Sequence, residues 1–147
     1  MVEEQLIPQS IMITDDHSVI RRTLREWLSE EFPGIQVVEN SSGEAALEML
    51  ASQTLPEIVL MDFHLPGRSG ITVIKQIKED YPDLPVVMLT IQEDKQYREK
   101  ALEAGADEYV VKRRMYTDLI PAVIKALSKS RSGNPQSDRD LDRKSVV

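Results

Sequence analysis

"IMITDD", residues 11–16, decides the fold: a run apolar on both of its faces ends in two adjacent carboxylates. Such a run is what a strand covered on both sides requires, and it is short enough to be a strand rather than a helix. Two neighbouring acids at a strand end repel each other unless water or a cation lies between them. The stretch therefore predicts a buried strand and, at its carboxyl end, a site that needs either water or a cation.

Four further stretches read as strands: "IQVVEN" (35–40), "EIVLMD" (57–62), "PVVMLT" (85–90) and "DEYVV" (107–111), with the first extended to "SIMITD" (10–15). Between them the apolar residues recur at helical spacing. In "HSVIRRTLREWLSEEF" (17–32), Ile20, Leu24, Trp27 and Leu28 share a face from which Arg21, Arg22, Arg25 and Glu26 largely turn away, and Pro33-Gly34 stops the helix. Ala45, Ala46, Leu47, Met49 and Leu50 supply a second helix; Ile71, Ile74 and Ile77 supply a third. Leu119, Ile120, Val123, Ile124 and Leu127 supply a strong fifth, which accommodates Pro121 if it is capped by Thr117 or Asp118. The fourth, "EDKQYREKALEAG" (93–105), carries only a thin stripe of Tyr97, Ala101, Leu102 and Ala104 and should pack loosely.

Strands 1, 3 and 4 are apolar on both faces, so the fold class is α/β, a doubly wound five-stranded parallel sheet; the strand order expected of it is 2-1-3-4-5, that of a flavodoxin-like (βα)5 sandwich. Residues 1–9 form an N-terminal extension, 10–128 the domain, and 129–147, rich in Ser, Gly, Pro and charge, a flexible tail or linker. The 147 residues, 41% hydrophobic, fit one domain of this kind.

Composition excludes several functions. There are no cysteines, hence neither disulfides nor thiolate zinc, and no apolar run approaches the roughly 18 residues of a membrane span. The start, "MVEEQLIPQS", is acidic where a signal peptide is basic, so the protein is expected to be cytoplasmic. Of the net charge of −7, the tail from Lys129 contributes +2 (Lys129, Arg131, Arg139, Arg143 and Lys144 against Asp138, Asp140 and Asp142), leaving −9 on the rest. A body so charged repels phosphate backbones, and direct nucleic-acid binding by this domain is not expected.

In open α/β sheets, ligands bind beyond the carboxyl ends of the strands near the winding reversal. Strand 1 ends in Asp15 and Asp16, strand 3 in Asp62, strand 4 in Thr90, and strand 5 is followed by Lys112. The strand order gathers them at one edge. Taken singly each has a plain explanation: Asp15 and Asp16 as helix-start acids, Asp62 beginning a turn, Thr90 capping a helix, Lys112 a solvated lysine. Their convergence argues for a site.

The segments "TDDH", "LMDFHLPGRSGI", "VVMLT" and "AGADEYVVK", in this order, resemble a two-component response-regulator receiver domain over roughly residues 10–127. "LPGRSG" and "AGADEYVVK" are most similar to receivers that precede LuxR-type helix-turn-helix domains. The resemblance implies that Asp62 is the phosphoacceptor nucleophile, forming an aspartyl phosphate with a phosphoryl group from the phosphohistidine of a sensor histidine kinase. It implies a Mg2+ cofactor held by Asp16, Asp62 and the His64 backbone carbonyl, with Asp15 acting through a water. Thr90 and Lys112 would receive the phosphoryl oxygens, and Thr90 and Tyr109 would form the switch, Tyr109 turning inward as Thr90 is drawn away. The output surface would be helix 4, strand 5 and helix 5, serving a homodimer, a downstream protein or a C-terminal output domain, with transcriptional control the expected end. No "GxxxxGKS" or "GxGxxG" loop is present for ATP.

Two positions depart from the family pattern. Ile91 stands where a small residue is usual and is expected to narrow access to the phosphoryl site; Arg113 stands where a cis proline is common, so the bond after Lys112 is expected to be trans. His17 and His64 are expected to be exposed and non-catalytic, and Trp27, Met12, Met61 and Met88 to lie in the core. A signalling phosphoacceptor rather than a turnover enzyme is the leading reading. The alternatives are a degenerate receiver acting only as an interaction module, and a haloacid-dehalogenase-like phosphatase, which needs a second acid where His64 stands.

Overall fold

The structure, a computed structural model, describes residues 7–132. Five strands, β1 (Ser10–Thr14), β2 (Gln36–Asn40), β3 (Ile58–Met61), β4 (Val86–Thr90) and β5 (Glu108–Val111), pair in parallel in the order β2-β1-β3-β4-β5. The helices are α1 (Ser18–Glu31), α2 (Gly43–Ser52), α3 (Gly70–Asp80), α4 (Lys95–Ala104) and α5 (Met115–Ser132). Each expected strand is present within a residue or two of its predicted ends, and the fold class is the one predicted.

The sheet divides the core in two. On one face Ile11, Ile13, Leu60, Val87, Leu89 and Val110 meet Leu24 and Leu28 of α1 and Leu119 and Val123 of α5. On the other, Met12, Val59, Met61 and Met88 meet Ala46, Val73, Ile74, Ile77 and Ala101 from α2, α3 and α4. Every residue of β3 and β4 is buried, whereas edge strand β2 is largely half-exposed. That is the burial that both-face apolar runs anticipate for central parallel strands.

Hydroxyl caps and glycines set the corners. Ser42 and Ser69 accept from the amides of Ala45 and Thr72, starting α2 and α3. Gly105, at φ 115°, closes α4 in the left-handed conformation. Helix α4 buries only Ala101 and Ala104; Leu102, expected on its apolar stripe, is 42% exposed. Trp27 is half-buried at the core margin, edge-on to Tyr116 with ring centroids 5.0 Å apart, and the three named methionines are fully inside.

Two expectations need correction. Helix α5 is not capped at Thr117 or Asp118: a 3-10 turn over Lys112–Arg114 leads directly into a helix that begins at Met115, so Pro121 lies in its second turn. Met115 and Leu119 are both core residues, and anchoring them extends the helix toward its start; the cost is the amide Thr117's carbonyl would otherwise receive. At the other end α5 continues to Ser132, past the expected domain limit at 128. Lys129 Nζ holds the Asp107 carbonyl at 3.1 Å and Glu108 at 3.0 Å, and the Ser130 hydroxyl holds the Asp83 carbonyl at 3.0 Å, so the polar composition there serves contacts to the domain. The remainder of the expected tail, 133–147, and residues 1–6 of the expected extension lie outside the described residues. Among the described residues no helix is long and apolar enough to cross a membrane.

Candidate functional site

Parallel pairing brings the chemistry to one edge. Thr14 is in register with Met61, which places Asp15 and Asp62, each the next residue, side by side, and the Asp62 amide donates to the Thr14 carbonyl at 3.0 Å. Thr90 ends β4 in register with Val111, the residue before Lys112. Asp15, Asp62 and Thr90 are 3%, 4% and 0% exposed, while the Asp16 side chain is 37% exposed.

The first cation found between the acids is the protein's own. Lys112 Nζ, almost buried, lies 2.6 Å from Asp15 Oδ2 and 3.2 Å from Asp62 Oδ2. Burial works against its charge, but the hydrogen bond to Asp15 and the charges of Asp62 and Asp15 outweigh it and hold its pKa above the ordinary lysine value. Asp62 is raised above the ordinary carboxyl range: burial is the main cause, Asp15 adds to it, and Lys112 only partly offsets both. One ammonium therefore does not neutralise three carboxylates, and a divalent ion fits the remaining deficit.

The donor set supports such an ion. Asp15, Asp16, His17 and Asp62 each offer one ligand atom, and these atoms lie within 4.8 Å of one another. The oxygens suit a hard octahedral cation. Of His64, the structure shows an exposed side chain and a backbone amide directed at Asp62 Oδ1, 3.4 Å away.

Around this centre the β4–α4 loop is tied down. Tyr109 is already inside, 7% exposed, and its hydroxyl donates to the Gln92 carbonyl at 2.7 Å; burial pushes its pKa up to about 12. The inward turn expected of it thus has no outward starting point in this conformation. The Gln92 side chain meets His64 Nε2 at 2.8 Å, and the Gln92 backbone amide donates to the Thr90 hydroxyl oxygen at 3.4 Å. Arg113, after a trans bond, pairs with Glu93 through both carboxylate oxygens at 2.9 and 3.0 Å. Ile91 projects outward, 67% exposed.

Sequence reasoning missed Arg21. Its guanidinium donates to the Asp15 carbonyl at 2.5 Å and to Glu39 at 3.1 Å, and Arg25 also pairs with Glu39, which fixes the corner between β1 and α1. The available signal was the helical spacing of Arg21, one turn beyond His17 and off the apolar face.

Comparison with known proteins agrees with this geometry. Residues 11–124 match the family described as the response regulator receiver domain. The chain is 33% identical over 121 residues to the response regulator protein VraR of Staphylococcus saprophyticus, covering 81% of this chain and 56% of that protein. A solved LuxR-family two-component response regulator from Aurantimonas sp. SI85-9A1 superposes with a TM-score of 0.75 at 32% identity, covering 81% of this chain and 84% of that one. The Mn2+-bound form of the response regulator Rcp1 superposes with a TM-score of 0.68 at 25% identity, covering 83% and 93%. The chain thus spans little more than half the length of VraR. With its sheet order, its acid corner and its family match over most of its length, the chain belongs to the response regulator receiver domain family.

Proposed function

We propose that this domain accepts a phosphoryl group on Asp62 from the phosphohistidine of a sensor histidine kinase. The observation that carries the reading is the buried Asp62 carboxylate flanked by Asp15 and by Lys112 at 3.2 Å. An Asp62 oxygen attacks phosphorus, the P–N bond to the kinase imidazole breaks as the P–O bond forms, and the imidazole leaves with the electron pair. Lys112 turns from the carboxylates to a phosphoryl oxygen, and the Thr90 hydroxyl donates to another.

Asp16, Asp62 and the His64 carbonyl would hold Mg2+, with Asp15 oriented toward it through water; the Mn2+-bound form of Rcp1 supports a divalent ion here. The ion supplies charge that offsets the repulsion between the acids and the incoming phosphoryl group. The domain is a phosphoacceptor rather than a turnover enzyme, acting in the cytoplasm.

Output runs through the face made by α4, β5 and α5. Drawing Thr90 toward the phosphoryl group moves the loop that Tyr109 and Arg113 hold, and α4, with few buried side chains, follows. The recipient is a second copy, a downstream protein or a C-terminal output domain of a longer regulator; the LuxR-family neighbour favours transcriptional control.

The test is intact-mass measurement after incubation with acetyl phosphate and Mg2+. The wild type should gain one phosphoryl group, and Asp62→Asn, or addition of a chelator, should abolish the gain. A gain undiminished in Asp62→Asn would refute the assignment; a wild type unmodified by either acetyl phosphate or a phosphorylated kinase would favour the phosphorylation-independent module.

A further inference from the structure

His17 was expected to be a bystander, and its ring is indeed 67% exposed. Exposure of that degree leaves a histidine free to swing into solvent. Instead Nδ1 is 3.1 Å from Asp15 Oδ1 and 3.1 Å from Asp16 Oδ1. The His17 amide donates to the same Asp15 oxygen at 2.9 Å, and the residue is the N-cap of α1, so the backbone that carries the ring is fixed by the helix start.

We propose that His17 Nδ1 is a nitrogen ligand of the cation site, so that the site favours a first-row transition dication such as Mn2+ over Mg2+ more strongly than carboxylates and water alone would. The proposal rests on the divalent-ion reading above and extends it to the identity of the ion.

Spacing is the main argument. Neighbouring donors around an octahedral ion with bonds of about 2.1 Å are about 3.0 Å apart, and opposite donors about 4.2 Å. The contact of His17 Nδ1 with Asp16 Oδ1 matches the first separation, and the donor atoms, within 4.8 Å of one another, need to contract by no more than about 0.6 Å to match the second. The division of oxygens is also suitable. Lys112 engages Oδ2 of both Asp15 and Asp62, whereas His17 meets the Oδ1 atoms of Asp15 and Asp16, so ring and ammonium do not compete for the same atoms. Ligand chemistry then gives the consequence: carboxylate and water alone suit Mg2+, and an imidazole shifts preference toward transition ions. The other histidine, His64, has its Nε2 committed to Gln92 at 2.8 Å.

The experiment is pulsed EPR of Mn2+ bound to the purified protein at pH 8, where electron spin echo modulation detects directly coordinated 14N. The wild type should show 14N modulation, and histidine labelled with 15N in the imidazole ring should replace it with the 15N pattern, a readout that needs no variant. His17→Ala, checked for folding by circular dichroism, should lose the modulation, and its preference for Mn2+ over Mg2+ by calorimetry should fall about tenfold or more, the size found when partners of a metal ligand are removed. Mn2+ bound without 14N modulation, or with modulation that persists in His17→Ala, would overturn the proposal and leave the Mg2+ reading intact. Failure of the wild type to bind either ion would overturn both.

Discussion

Lys112 lies nearer to Asp15 than to Asp62, with Nζ 2.6 Å from the first carboxylate and 3.2 Å from the second. The ammonium is thus a counter-ion shared by the two acids. Because the ammonium and both carboxylates are nearly buried, removing it leaves two acids without a cation. Lys112→Met should destabilise the metal-free protein by about 3–5 kcal/mol at neutral pH, and by less as acid protonates the carboxylates. Urea denaturation across pH checks this; an equal loss at pH 4 and pH 7 would show that packing, not charge, is responsible.

Asp62 gives a dependence of opposite sense. A carboxyl held above its ordinary value of 3.8 binds its proton more tightly in the folded state, so its contribution to stability is fully present below that value and is lost as pH rises through the folded one. Asp62→Asn removes the ionisation and should stabilise the metal-free protein at pH 7. The gain should vanish at low pH and be reversed by excess Mg2+, which stabilises only the wild type. Unfolding midpoints in chelator and in Mg2+ provide the comparison; an Asn variant less stable than wild type at pH 7 without metal would contradict it.

Tyr109 and Arg113 hold the same loop by bonds of different worth. The Tyr109 bond to the Gln92 carbonyl is shielded, and Tyr109→Phe should cost about 1–2 kcal/mol and speed amide exchange at residues 91–94. The Arg113 pair with Glu93 is exposed, and Arg113→Ala should cost less than about 1 kcal/mol. Exchange mass spectrometry on both variants tests the ranking, which fails if Arg113→Ala loosens the loop more.

Gly70 seats α3 against the backbone of Asp62. A β-carbon there would stand 2.0 Å from the Asp62 carbonyl oxygen, a backbone atom that cannot yield without moving the site. Gly70→Ala should cost about 3 kcal/mol. At Gly67 the φ is +74° and the crowding atoms belong to the flexible Glu44 side chain, so Gly67→Ala should cost about 1 kcal/mol. Parity of the two in denaturant unfolding would count against the close approach at Gly70.

The strands were legible because their two-sided apolar runs leave few other ways to bury them, and strand order then gathered Asp15, Asp62, Thr90 and Lys112 at one edge. What the sequence concealed depends on tertiary context. Pro121 suggests a helix start, but core anchoring of Met115 places that start six residues earlier than the first-position preference of proline. Lys129 and Ser130 read as linker because their partners are backbone carbonyls and a glutamate from distant segments. Arg21 and His17 looked like surface residues because a helix pattern reports which face is apolar, not what a polar side chain at its first turn reaches. Leu102 misled in the opposite direction, being apolar yet exposed on a helix that buries mainly alanines.

Asp62 as the phosphoacceptor is the claim on which the rest depends, and reductive trapping tests it most directly. Borohydride converts an aspartyl phosphate to homoserine, so protein treated with acetyl phosphate and Mg2+, reduced and digested, can be mapped by peptide mass spectrometry. The account predicts homoserine at position 62 alone, dependent on Mg2+; homoserine at position 15 or 16, or phosphate retained on a histidine or hydroxyl side chain with position 62 intact, would contradict it.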